Sequence, residues 1–198
     1  MNLPNKLTLT RIILIPFFIA AIYVPFTGHY FVALAIFAIA SLTDFFDGKI
    51  ARKYNLVTDL GKFLDPIADK VLVLSALVVM LGDPHFNVFS NLLGSTGLIL
   101  GGIGVVIILA RELTISSLRM MAAKKGIVLA AEYIGKVKTF FTDVTIVVLL
   151  VVGGLYPISN SVANVINIIG LVGFAISVVL TIISGINYLV KNAGVFKE

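Results

Sequence analysis

Apolar residues gather in six stretches, 8–26, 30–45, 65–81, 97–118, 139–156 and 162–190, parted by segments richer in Gly, Pro, Asn and charge. A helix needs about 20 residues to cross the hydrocarbon core of a bilayer. The pattern therefore predicts an all-α integral membrane protein, a six-transmembrane-helix bundle forming one domain over residues 1–198. The second, third and fifth stretches are short once their charged residues are left out. Their polar ends must project from the membrane or line a polar cavity. Pro66 suits the first turn of a helix, which predicts that the third helix starts with Asp65 as its N-cap. Lys124-Lys125-Gly126 reads as a helix end with a glycine stop, within a long connection over 120–138. The first stretch follows Lys6 and Arg11 as in a signal peptide. Pro25 and Phe26, however, stand where a small-residue cleavage site would fall, so it reads as a retained helix.

Composition sharpens this. Hydrophobic residues make up 59% and charged residues 13% of the chain, against about 25% charged in soluble domains. An ordinary water-soluble domain is excluded. The absence of cysteine removes disulfides and thiolate metal sites. The absence of tryptophan leaves any interfacial belt to Tyr and Phe. None of the fifteen Lys and Arg falls in 27–29, 82–96 or 157–161. They lie at the N-terminus, around the second and fourth connections, and in the tail. Six spans put both termini on one side, and the positive-inside rule makes that side cytoplasmic. The net charge of +5 is thus a mark of orientation and not of a nucleic-acid partner.

Candidate chemistry concentrates between residues 44 and 70. Asp44 and Asp47 are three apart at the end of the second predicted helix, and Asp65 and Asp69 are four apart at the start of the third. Each pair shares a helix face. The connection returns the chain to the same membrane surface, so the pairs can face each other. Four converging carboxylates repel, and a bound cation relieves the repulsion. All-oxygen ligands suit Mg2+, Mn2+ or Ca2+ better than zinc. Two such ions can clamp a diphosphate and stabilise an in-line displacement. Singly, each Asp is equally readable as a cap or as a partner of Lys49, Arg52, Lys62 or Lys70. Together, beside a membrane, they point to function. Gly48, Ala51 and Gly61 leave room either for a ligand against the backbone or for close helix packing.

A second group is cationic. Arg111 and Arg119 lie on the fourth helix, about 80° apart around its axis. Lys136 and Lys138 flank the start of the fifth, and Thr139 adds a hydroxyl. Together these are a candidate phosphate pocket beside the aspartates. Arg119, Lys136 and Lys138 also fit the role of anchors to lipid headgroups. Arg111 lies deeper than an anchor should, with Glu112 beside it as a partner, although adjacent helix positions do not ordinarily face each other. Asp143 has no assigned role. His29 and His85 lie in outward loops, away from the aspartates.

The run Asp44-x2-Asp47-Gly48-x2-Ala51-Arg52-x8-Gly61-x3-Asp65-x3-Asp69 resembles the signature of the CDP-alcohol phosphotransferase family at every position. Three further segments are similar to the bacterial branch that accepts sn-glycerol 3-phosphate. They are Asn2-x-Pro4-Asn5-x-Leu7-Thr8-x2-Arg11, Ala110-Arg111-Glu112 with Arg119, and Gly135-Lys136-x-Lys138-Thr139. The resemblance implies that Asp44, Asp47 and Asp65 hold one divalent ion, Mg2+ or Mn2+, and that Asp44, Asp65 and Asp69 contact a second. Asp69 would take the proton from the acceptor hydroxyl. Gly48, Ala51, Arg52 and Thr58 would bind the CDP portion, with Asn5 and Thr8 near the nucleotide. Arg111, Arg119, Lys136 and Lys138 would hold the acceptor phosphate. The implied reaction moves the phosphatidyl group of CDP-diacylglycerol to glycerol 3-phosphate, releasing CMP and giving phosphatidylglycerophosphate. A homodimer among the lipids of a bacterial cytoplasmic membrane, with its active site facing the cytoplasm, is implied as well.

Three other readings compete. The same chemistry could serve inositol phosphate or phosphatidylglycerol as acceptor. A non-catalytic lipid-binding scaffold would carry the same helices. A divalent-cation transporter would place its site near the midplane, open to both sides, whereas the outward halves of these helices lack carboxylates apart from Asp83.

Overall fold

Every apolar stretch becomes one helix, longer than the stretch itself. In the computed structural model the backbone is described for residues 3–53, 59–83, 88–127, 129–130 and 132–196, and side chains for 5–43, 61, 64, 67–68, 70–83, 88–127, 129–130 and 132–195. Helix α1 spans Leu3–Tyr23, α2 His29–Lys53, α3 Asp59–Leu81, α4 Ser90–Lys124, α5 Tyr133–Leu155 and α6 Asn160–Lys191, followed by a 3-10 turn at Ala193–Phe196. No strand occurs among the described residues. Among the described residues four segments are long and apolar enough to cross a membrane: Asn5–Tyr23, Ser90–Lys124, Tyr133–Leu155 and Asn160–Lys191. The apolar parts of α2 and α3, His29–Thr43 and Lys70–Leu81, are shorter. Large apolar side chains stay exposed around the bundle, among them Phe17, Ile99, Val106, Ile169 and Val179. Such a surface belongs in lipid.

The helix ends correct the sequence reading at three places. Helix α2 runs past Phe45 to Lys53, so Asp44 and Asp47 lie within it and not at its end. Helix α3 begins at Asp59, so Asp65 is not its N-cap and Pro66 is not in its first turn. The turns before Pro66 have an inner face to bury, with Gly61 buried and Leu64 half-buried there. That packing outweighs the local preference for starting a helix at proline. The connection between α4 and α5 is shorter than 120–138, because α4 continues to Lys124 and α5 begins at Tyr133. The glycine stop is as expected. Gly126 takes φ +73°, its N–H bonds Ala123 O at 3.0 Å, and the N–H of Ile127 bonds Ala122 O at 2.9 Å. This 6→1 and 5→2 pattern satisfies the last carbonyls of α4.

Helix α1 packs on α2 and α3, α2 on α5, α5 on α6, and α6 on α4. The antiparallel order brings both chain ends to one end of the bundle, with the α2–α3 and α4–α5 connections. Contacts tie that end together: Lys191 Nζ to Glu132 Oε1 at 3.2 Å and Lys125 Nζ to Val195 O at 3.0 Å. At the opposite end Tyr30 donates to Asp83, and Asn167 Nδ2 donates to Val88 O at 3.0 Å.

The core is graded along the bundle axis. Toward the opposite end it is mainly apolar: Phe18 and Ile22 of α1, Ala33 and Phe37 of α2, Leu77 and Met80 of α3, Leu149 and Leu150 of α5, and Phe174 of α6 are buried, and the buried Asp83 and Asn167 there are hydrogen-bonded to Tyr30 and to the Val88 carbonyl. Toward the end with the chain termini the same inward faces turn polar. Asn5, Thr8 and Arg11 are buried on α1, Lys138 and Thr142 on α5, and Ser177, Thr181 and Ser184 on α6. Buried polar groups are costly unless they are paired or serve a ligand. The polar half is therefore where a site belongs.

Candidate active site

The inward stripe of α2 steps by three and four through Tyr30, Ala33, Phe37 and Ala40, all buried. Continued at the same spacing, it passes through Asp44, Asp47 and Ala51, with Gly48 one residue beyond Asp47. The inward stripe of α3, read back through Met80, Ala76 and Leu72, reaches Asp69 and Asp65. The same three-and-four spacing thus runs from the buried positions of each helix to the sequence positions of the four aspartates. The side chains of Asp44, Asp47, Gly48, Ala51, Arg52, Asp65 and Asp69 lie outside the described residues, as do Thr58 and His85 altogether.

Helix α1 contributes the described part of this region. Asn5, Thr8 and Arg11 are spaced by three and face α2 and α3, the helices against which α1 packs. Arg11 Nε donates to Ala40 O at 3.2 Å, and the Thr43 hydroxyl donates to the same carbonyl at 2.6 Å. A buried guanidinium one turn from Asp44 supplies positive charge where the sequence concentrates negative charge.

Beside the aspartate helices opens a cavity of about 440 Å3, lined by Lys70 of α3, Arg111, Glu112, Ile115 and Arg119 of α4, Glu132 at the start of α5, Gly135, Lys136, Thr139, Phe140 and Asp143 of α5, and Tyr188 of α6. Lys70 follows Asp69 directly in the chain and bonds Ser116 of α4, so the cavity adjoins the aspartate-bearing segment of α3. Among the described residues the backbones of α4 and α5 stay apart, and side chains such as Glu112 and Lys138 bridge the gap. The cavity occupies the space between them. Arg119 Nε donates to the Tyr188 hydroxyl at 3.0 Å, and its guanidinium carbon lies 5.4 Å from the centre of that ring. Arg111 Nη1 reaches Glu112 Oε1 at 2.8 Å, and Lys138 Nζ reaches the same oxygen at 2.7 Å. Four cationic side chains from three helices, Lys70, Arg111, Arg119 and Lys136, thus share one wall system. Glu112, Glu132 and Asp143 share the lining, so the cations exceed the carboxylates by one, and the guanidinium and ammonium groups supply the donors that a small phosphorylated guest would use.

Of the cations singled out in the sequence, Arg111, Arg119 and Lys136 come together here. Lys138 does not. Its side chain is 3% exposed, does not line this cavity and pairs with Glu112, which does. The step of seven residues from Lys136 to Asp143 makes two helical turns, which puts Asp143 on the same wall, beside Thr139. Sequence reading missed Lys70 and Tyr188 as wall residues. Lys70 was legible as the neighbour of Asp69. Tyr188 sits one turn before Lys191 near the end of α6, and its only signal was a polar group at the charged end of a long apolar helix. His29 lies at the opposite end, with Nδ1 3.0 Å from Ala21 O.

Helices fit for lipid, a core polar at one end, and a cation-lined cavity beside an aspartate-rich segment define a class: a helical membrane protein that handles an anionic substrate at one end of its bundle. Comparison with known proteins names the family. The chain belongs to the CDP-alcohol phosphatidyltransferases, whose family model matches residues 1–185. It is similar to proteins named CDP-diacylglycerol--glycerol-3-phosphate 3-phosphatidyltransferase in three bacteria. The protein of Shigella flexneri serotype 5b (strain 8401) is 38% identical over 190 residues, covering 95% of this chain and 93% of the relative. That of Bacillus subtilis (strain 168) is 35% identical over 204 residues, covering 96% and 95%. That of Escherichia coli (strain K12) is 44% identical over 140 residues, covering 70% of each.

Proposed function

We propose that this chain transfers the phosphatidyl group of CDP-diacylglycerol to sn-glycerol 3-phosphate, releasing CMP and forming phosphatidylglycerophosphate. The observation that carries this reading is the cavity. Arg111, Arg119 and Lys136 converge on a space sized for a small phosphorylated alcohol, and Lys70 joins that space to the segment bearing Asp65 and Asp69. The names of the relatives point to the same acceptor.

In this reading the cavity cations hold the acceptor phosphate and leave its far hydroxyl toward α3. Asp69 takes the hydroxyl proton, the freed oxygen attacks the phosphorus bearing diacylglycerol, and the bond to CMP breaks. A carboxylate within hydrogen-bond reach suits that proton transfer. Gly48, Ala51, Arg52, Thr58, Asn5 and Thr8 bind the CDP portion. Asp44, Asp47, Asp65 and Asp69 are the residues that would hold divalent cations. The reading is supported by the donor set itself, four carboxylates at three- and four-residue spacing on α2 and α3, whose oxygens suit a hard divalent cation. When bound, Mg2+ or Mn2+, two ions in this reading, would neutralise the diphosphate charge. All six helices cross a bacterial cytoplasmic membrane, both termini and the site face the cytoplasm, and the protein works as a homodimer. The clustering of Lys and Arg at one end of the bundle supports the orientation.

The test is CMP release by purified protein with CDP-diacylglycerol and a panel of acceptors. Release with glycerol 3-phosphate, abolished by EDTA and restored by Mg2+ or Mn2+, is the expected result. Release with inositol phosphate or phosphatidylglycerol alone would move the assignment to another acceptor. Turnover unaffected by chelation would reject the metal.

A further inference from the structure

Resting on the reading of this cavity as the acceptor-phosphate site, we infer that Glu112 is a positioning residue that sets which edge of Arg111 meets the phosphate, and that Lys138 is the counter-ion of Glu112 and not a phosphate ligand. Arg111 and Glu112 are adjacent on α4, and their side chains leave the helix about 100° apart. They meet because both bend into the gap between α4 and α5. There Glu112 Oε1 accepts from Arg111 Nη1 at 2.8 Å and from Lys138 Nζ at 2.7 Å. Side-chain exposures of 14% for Arg111, 15% for Glu112 and 3% for Lys138 leave little water to compete. With Nη1 taken, the edge formed by Nε and Nη2 remains, the side-on pair of parallel donors that matches two oxygens of a phosphate. Arg111 Nε is buried and has no hydrogen-bond partner among the described residues. The stem and head are also held sterically. A Cβ at Gly185 of α6 would lie 3.2 Å from Arg111 Cγ, and one at Gly135 of α5 would lie 3.3 Å from Nη2. Backbone on two sides and a carboxylate on Nη1 fix the guanidinium before any ligand arrives. Preorganisation of this kind lowers the cost of binding. Lys138 has a different task. A lysine this buried needs an opposite charge, and Glu112 supplies it across the gap between α4 and α5.

The inference is tested by steady-state KM values for both substrates in purified R111K, K138M, E112M/K138M and R111K/E112M/K138M. Replacing both buried charges by apolar side chains keeps the fold, as exchange of a buried ion pair for apolar groups is often neutral. A melting curve in detergent checks this. We expect E112M/K138M to raise the glycerol 3-phosphate KM about tenfold while the CDP-diacylglycerol KM stays within about twofold. K138M alone, in which Glu112 still holds Arg111, keeps the acceptor KM within about threefold while lowering the melting temperature. Lys in place of Arg111 lacks the paired edge, so the Glu112 effect should largely vanish in the R111K background. An acceptor KM that is unchanged or lowered in E112M/K138M overturns the positioning role, because the double replacement leaves the net charge as it was and takes away the carboxylate that holds Arg111 Nη1. A K138M effect as large as that of R111K overturns the assignment of Lys138. Failure of the underlying reading looks different: the unmodified protein itself would then not release CMP with glycerol 3-phosphate.

Discussion

Lys136 and Lys138 lie on one turn of α5 with the same formal charge, yet they meet different surroundings. Lys136 lines the open cavity, whereas Lys138 is enclosed and paired with Glu112. Two residues rotate the side chain by about 200° around the helix. Only knowledge of what lies on each side decides which lysine meets a ligand. The aspartates are a contrasting case, because the chemistry proposed for them rests on type and spacing alone. Asp69→Asn is the direct test of the proposed proton acceptor. It removes basicity at nearly constant shape, so kcat should fall at least about a hundredfold. Binding of CDP-diacylglycerol, followed by protection against thermal unfolding, should persist. Full activity of that variant would reject Asp69 as the base.

At the scale of the helix, three-and-four spacing did most of the work. It put Asp44 with Asp47 and Asp65 with Asp69 on shared helix faces, and in the structure the buried positions Tyr30, Ala33, Phe37 and Ala40 of α2 follow the same spacing. Small residues let that face approach its neighbours. Gly153 of α5 lies against Tyr30, and a Cβ there would sit 2.7 Å from the ring. Gly153→Leu should therefore overpack the α2–α5 contact and destabilise the fold by about 1–3 kcal/mol. Gly102→Ala serves as the control, since the nearest atom to an added Cβ is 3.8 Å away. Thermal unfolding in detergent reads the difference, and equal stability of the two variants would refute this account of the contact. The helix ends were less legible. Local rules started α3 at Pro66, but burial of Gly61 carries the helix back to Asp59.

Across the whole molecule two gradients coincide. The core becomes polar toward the end where Lys and Arg cluster, so the site and the cationic rim share one face of the bundle. In the proposed orientation that face is cytoplasmic. The chain has no cysteine, so single cysteines report accessibility cleanly. Thr27→Cys should react with a membrane-impermeant maleimide in intact cells. Lys124→Cys should react only after the membrane is opened. The reverse pattern would invert the topology.

The linear order of residues determined the six-helix division and the gathering of carboxylates between residues 44 and 69, because each depends on periodicity and residue type within one segment. Tertiary structure alone decided that Arg111, Arg119, Lys136 and Tyr188 meet, that Glu112 holds Arg111, and that Lys138 is withdrawn. These outcomes depend on the gap between α4 and α5, whose backbones do not touch and whose spacing is set by α6 and α3. Periodicity fixes a direction around one axis. The distance between two axes comes only from packing the whole bundle.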